Sequence, residues 1–188
     1  MPAEFPVSPF SDRAPLEVVI VGGGPAGLMA AEVLSRAGRT VDLFDAMPSV
    51  GRKFLLAGKG GLNLTHAEPS AQFNTRFGPR EAEVSQWLSG LDAQGVRDWA
   101  QSLGVSTFVG TSGRVFPAEM KAAPLLRAWL QRLRHPVSGV PLQFHMRHRW
   151  LGWQGHHLVF GRRDGAPPLQ VKAEATVLAL GGASWPHL

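Results

Sequence analysis

Apolar and polar positions alternate along this chain with two different periods, and the change of period marks its elements. Val18 to Val21 is an unbroken, β-branched run, the pattern of a strand buried on both faces. Gly27, Ala30, Ala31 and Leu34 follow at i, i+3, i+4 and i+7, which is one face of a helix. Gly38 stands where a helix ends in a left-handed residue, and Val41 to Phe44 restart an apolar strand. Further on, Val84, Trp87, Leu88, Leu91, Val96, Trp99 and Leu103 recur at helical spacings between Glu81 and Leu103, so both tryptophans are expected in a core. A second helix is predicted over Ala123–Leu133, with Pro124 in its first turn and Arg132 and Arg134 at its end. Pro141 to Ala175 partly alternates and carries turn signals at Gln154-Gly155 and Asp164-Gly165, as a β-meander does. Ala175 to Leu180 reads as a last strand that runs into Gly181-Gly182.

The first strand and helix meet in a glycine-rich turn. Gly22, Gly24 and Gly27 have the spacing G-x-G-x-x-G, with Pro25 and Ala26 in the gap. In this arrangement the first glycine makes the tight turn and the second lets backbone approach a pyrophosphate. The third, lacking a Cβ, lets the helix pack closely on the strand. The helix N-terminus offers unpaired amides and a partial positive charge to the phosphates. Asp45 ends the second strand where a carboxylate can accept hydrogen bonds from an adenosine ribose, and its charge would repel a 2′-phosphate. Together these residues predict a site for an ADP-containing dinucleotide.

Ala46 to Thr65 follows the acid directly. Arg52 and Lys53 put two cations one short loop beyond Asp45, within reach of a diphosphate. Gly58-Lys59-Gly60-Gly61 supplies a backbone able to lie against a flat ligand. It is not a Walker A loop, because no Ser or Thr follows the lysine and the earlier glycine is missing.

The register from Gly22 to Asp45 resembles the FAD-type nucleotide fingerprint, with Asp45 in place of the more usual glutamate. Its continuation, GRKFLLAGKGGLNLTHAEP, is similar to the bacterial flavoprotein family that includes aminoacetone oxidase and the BaiN-like proteins. Lys59, Gly61 and Leu62 stand where that family tends to show Gly, Arg and Cys, whereas Asn63 is retained. Gly113 to Pro117 is similar to the family's GRVFP segment, and Ala175 to Ser184 resembles its second glycine motif, with Leu180 where threonine is common. The resemblance implies an α/β, Rossmann-like FAD-binding domain over residues 16–188, behind a flexible tail at 1–15. It would have a parallel central sheet, helices and an antiparallel meander. It implies a flavin-dependent oxidoreductase that holds FAD, with NAD(P)H as a possible electron donor and a small-molecule substrate. Asn63, Gly181 and Gly182 would lie near the cofactor, and Trp150, beside Arg149, near the adenine. Family members are about twice as long, so the resemblance also implies a truncated chain.

Composition narrows the alternatives. There is no cysteine among the 188 residues, which removes disulfides, thiolate metal sites and thiol nucleophiles and fits a cytoplasmic protein. The formal charge of +5 comes from cations scattered singly, not from a basic run, so no nucleic-acid partner is expected. No stretch is long and apolar enough for a membrane span. Four of the seven histidines fall in the meander, but His145 and His148 are expected on opposite faces of one strand and His156-His157 beside a turn, so no metal site is expected. Neither a Ser-His-Asp order nor paired acids appear, and no catalytic residue is assigned. Two further readings stay open: a dinucleotide-binding fragment without activity, and an ordinary NAD-dependent dehydrogenase.

Overall fold

The structure, a computed structural model, describes residues 14–162 and 165–182. Most of the expected tail, and Asp164 of the expected turn, lie outside the described residues. The chain forms two compact units, one of residues up to Lys53 together with those from Gln131 onward, the other Phe54–Leu130.

The first unit opens with β1 (Leu16–Val21), α1 (Pro25–Arg36) and β2 (Val41–Asp45), as the apolar pattern predicts. Helix α1 ends in a Schellman motif. Gly38 takes φ +76°, its amide donates to Ser35 O and the Arg39 amide donates to Leu34 O, so two terminal carbonyls are satisfied. The short helix α2 (Arg52–Ala57) leads into the second unit.

That unit contains β3 (Thr65–His66), α3 (Ser70–Thr75), α4 (Glu81–Leu88), α5 (Ala93–Ser102), β4 (Thr107–Val109), β5 (Arg114–Pro117) and most of α6 (Ala122–Arg134). Its three strands form an antiparallel sheet in the order β3-β5-β4. The helical stretch expected across Glu81–Leu103 is two helices. Residues 89–92 break it, and the Asp92 carboxylate starts α5 by accepting from the Gly95 amide at 2.8 Å. Trp99 packs edge-on against Trp129 at 4.8 Å, a core role as expected. Trp87 is instead 71% exposed, because α4 ends within about two turns and fully buries none of its residues.

The remaining strands, β6 (Gln143–Met146), β7 (His148–Gln154), β8 (His157–Arg162) and β9 (Leu169–Leu178), return to the first unit. The sheet order is β6-β2-β1-β9-β8-β7, with the first four strands parallel and the last two antiparallel. Strand β9 serves both parts. Leu169–Lys172 pairs with β8 in the meander, and Ala173–Leu178 pairs with β1 in the parallel sheet. The meander folds over one face of the parallel strands. Val19, Val21 and Phe44 from that face pack with Leu158, Phe160 and Val171, and the Phe44 and Phe160 rings stack at 4.3 Å. Burying each such side chain contributes roughly 1.5–3 kcal/mol. By strand alternation Val18, Ile20 and Leu43 point the other way, where α1 runs along β1 and β2 with Leu28 and Ala31 fully buried. The expected α/β, Rossmann-like arrangement of sheet, helix and meander is therefore present.

One expectation from strand alternation fails. Arg147 adopts φ +64° and separates β6 from β7, so His145 and His148 are not on opposite faces of one strand. Both rings lie against Phe44: His145 stacks on it at 4.3 Å, and His148 meets it edge-on at 5.7 Å.

Candidate dinucleotide site

Parallel strands joined by helices leave an open crevice at their carboxyl ends, where the chain departs in opposite directions from neighbouring strands. In the first unit that crevice is a cleft of about 380 Å³, between the ends of β1, β2 and β9, the start of α1, residues 46–53 and His148–Trp150. Its volume is in the range of small-molecule sites.

The glycine turn is shaped as the spacing predicts. A Cβ on Gly22, which has φ +111°, would fall 2.3 Å from Ala179 O, and one on Gly27 would fall 1.9 Å from Gly22 O. Both positions are closed to any side chain. At Gly24 nothing lies within 4 Å of a built Cβ, so this edge of the turn faces open space. Gly24 is also the N-cap of α1 and no side chain caps the helix. With Pro25 at the first helical position, the amides of Ala26 and Gly27 are left for a ligand. Crowding beneath and space above make a cradle suited to a diphosphate.

Asp45 does more than end its strand. Its Oδ2 accepts from the Gly23 amide at 2.6 Å and its Oδ1 from the Met47 amide at 2.7 Å. The Gly23 carbonyl accepts from Gly51 N at 2.7 Å, and the Gly22 amide donates to Phe44 O at 2.8 Å. The turn is thus tied to β2 and to the loop after it before any ligand arrives. Each carboxylate oxygen keeps a further lone pair for a ribose hydroxyl.

Gly22, Gly24, Pro25, Ala26, Asp45, Arg52, Lys53, Trp150 and Gly181 all line the cleft. Gly27 lies under it as a packing residue, and the Lys53 ammonium approaches Gly182 O at 3.5 Å. Asn63 belongs to the other unit, where its amide, turned so that the nitrogen donates, reaches Thr65 O at 2.9 Å and Val115 O at 3.3 Å. Sequence reasoning missed Gly23, Met47, Ser49 and His148, which also line the cleft. Gly23 could have been found as the residue between two motif glycines. His148 could not, since its place depends on the turn at Arg147. Among the lining residues Asp45 is the one carboxylate, against the cations Arg52, Lys53 and Arg149. That balance favours an anion beside a polar, neutral group.

The model of the HI0933-like protein Rossmann domain matches residues 16–188. The chain belongs to this family. Among curated relatives of this HI0933-like chain, the glutamate synthase [NADPH] small chain of Mycobacterium tuberculosis is 28% identical over 171 residues, 88% of the chain and 31% of the relative. The D-amino acid dehydrogenase of Dechloromonas aromatica is 34% identical over 84 residues, 45% of the chain and 19% of the relative. The ribosomal RNA dihydrouridine synthase of Haemophilus influenzae is 42% identical over 52 residues, 28% and 13% of the two chains. The chain thus spans less than a third of the length of each of these relatives. A solved flavocytochrome c3 fumarate reductase in its open conformation shares the fold with a TM-score of 0.67 at 18% identity, over 92% of this chain and 34% of its own. The THI4 structure of Thermovibrio ammonificans does so with a TM-score of 0.53 at 18% identity, over 88% and 57%. The fold of the HI0933-like chain is that of a Rossmann-like flavoprotein domain.

Proposed function

We propose that this chain binds FAD and forms the cofactor-binding part of a flavin-dependent oxidoreductase. The observation that carries the reading is the cradle at Gly24, open to solvent and set on an uncapped helix N-terminus within a turn that is otherwise tightly packed. The diphosphate would lie on the amides of Ala26 and Gly27, with Arg52 and Lys53 as counter-charges, and Asp45 would accept from the ribose. Gly181, at φ +78° beside Lys53, would let the chain end of β9 approach the cofactor closely. Trp150 lines the cleft, and the adenine would sit beside it. Bound FAD would supply the electron transfer, and the protein groups would bind and orient it. NAD(P)H as electron donor is part of the proposal, supported by the NADPH-named relative that aligns along most of the chain. So is a small-molecule substrate, supported by the match to a D-amino acid dehydrogenase.

Near-UV and visible absorbance of the purified protein, with and without added FAD and after desalting, tests the reading. Retained flavin bands, lost on Asp45→Ala, are expected. A protein that stays colourless and shows no binding of FAD would overturn it. Retained flavin that neither NAD(P)H nor any substrate reduces would favour the reading as a binding module.

A further inference from the structure

The strand order β9-β1-β2-β6 is also an order along the carboxyl edge of the sheet, with neighbours about 4.8 Å apart. If the diphosphate sits at the end of β1 and the ribose at Asp45 on β2, the next position along the edge is the end of β6. There the chain turns at Arg147 and places His148 in the cleft wall.

The His148 ring is oriented by two contacts. Its Nδ1 lies 2.9 Å from Met146 O, and since a carbonyl oxygen can only accept, Nδ1 carries the proton. In the tautomer with its proton on Nδ1, Nε2 has a bare lone pair, and among the described residues no hydrogen bond reaches it. The Phe44 ring, edge-on at 5.7 Å, fixes the imidazole plane. The Trp150 indole nitrogen is buried without a partner among the described residues while its ring packs against the core, so Trp150 offers the cleft its ring and not this donor. In that tautomer the wall offers a fixed acceptor where the chain leaves β6, the next strand along the edge from Asp45.

We propose that His148 is the specificity-determining residue for the base of the dinucleotide, its Nε2 accepting a hydrogen bond from the 6-amino group of adenine. The inference rests on the dinucleotide reading of the cleft. A purine with a carbonyl oxygen at the 6-position would set lone pair against lone pair and leave both groups unsatisfied.

Equilibrium binding of ADP and IDP to the 188-residue protein tests it. ADP is expected to bind about tenfold more tightly than IDP, the worth of one hydrogen bond and the repulsion that replaces it. His148→Ala is expected to bring the two within about twofold by removing both effects. His148→Gln presents either an amide oxygen or an amide nitrogen at the same reach, so IDP should bind more tightly than to the unsubstituted protein. A misfolded variant cannot produce that gain. An ADP preference that survives His148→Ala, or no gain of IDP binding in His148→Gln, would overturn the assignment. Binding of FAD with equal affinity for ADP and IDP would overturn it while leaving the dinucleotide site standing. Failure to bind FAD, ADP and IDP alike would remove both.

Discussion

The carboxylate of Asp45 holds the amide of Gly23 at 2.6 Å, joining the end of β2 to the glycine turn across 22 positions of sequence. Here both of its oxygens already accept backbone amides, from Gly23 and Met47, so the residue builds the loop that it also completes. Asp45→Ala leaves two amides unpaired in a part-buried site, which costs roughly 1–3 kcal/mol per group that water cannot reach. We predict that Asp45→Ala lowers the melting temperature of the ligand-free protein as well as its affinity for FAD. Asp45→Asn should be intermediate, since its amide oxygen can accept from one partner while its nitrogen faces the other donor. Thermal unfolding without ligand separates the two roles: an unchanged melting temperature would leave Asp45 with the ribose alone.

Gly24 and Gly27 are three residues apart in one motif, and their surroundings are opposite. A Cβ at position 27 would overlap the Gly22 carbonyl, whereas one at position 24 would meet nothing within 4 Å. Gly27→Ala should therefore push α1 away from the β1 turn and destabilise the fold by about 1–3 kcal/mol or more. Gly24→Ala should leave unfolding nearly unchanged and weaken FAD and ADP binding, because its methyl group would occupy the space above the cradle. Denaturant unfolding of the two variants checks the contrast. Equal stability losses would mean that the cradle at Gly24 is not open.

Glu17 makes the fold sensitive to acid at the start of β1. Its carboxylate lies below the ordinary value of 4.5, first because it accepts from the Thr40 amide, at 2.7 Å, and then because Arg39 lies 3.2 Å away. A group whose value is lower folded than unfolded stabilises the fold above its unfolded value and loses that contribution as pH falls through the folded one. Glu17→Gln is thus predicted to reduce stability at neutral pH and to make no difference well below the carboxylate range. Urea melts at neutral and strongly acidic pH, compared between the two proteins, measure this. A difference that persists in acid would assign the effect to packing.

The first βαβ unit was legible because each of its determinants is local. The apolar run of β1, the glycine spacing, the helical stripe of α1 and Gly38 all lie within about thirty consecutive residues and agree with one another. Asp45 was legible as the acid at a strand end, but its bond to Gly23 was not, since no periodicity encodes a contact from a side chain to a loop amide. The break at residues 89–92 was missed for a different reason: Leu88 and Leu91 continue the helical spacing across it, and Asp92 marks a new cap only once the first helix is known to stop. Asn63 was placed near the cofactor by resemblance, and its hydrogen bonds to Thr65 and Val115 are local to the second unit. His148 was out of reach because the spacing sets His145 and His148 on opposite faces of a single strand, whereas the turn at Arg147 that places His148 ends one strand and begins another.

That misreading turns on Arg147, a side-chain-bearing residue at φ +64°. Its amide donates to Met47 O at 3.1 Å, so the turn is tied to the loop that follows Asp45. The left-handed conformation costs an ordinary residue about 1–2 kcal/mol, and glycine avoids most of that cost. The hydrogen bond to Met47 uses the backbone and survives substitution. Arg147→Gly should therefore hold or raise the melting temperature and leave ADP binding in place. Arg147→Val, with a branched Cβ in the same conformation, should lower the melting temperature and, by letting the chain straighten into one strand, displace His148 from the cleft. Thermal melts and ADP titrations of both variants decide the matter. If Arg147→Gly were the less stable of the two, contacts of the arginine side chain, and not the backbone turn, would be what holds β6 and β7 at this angle.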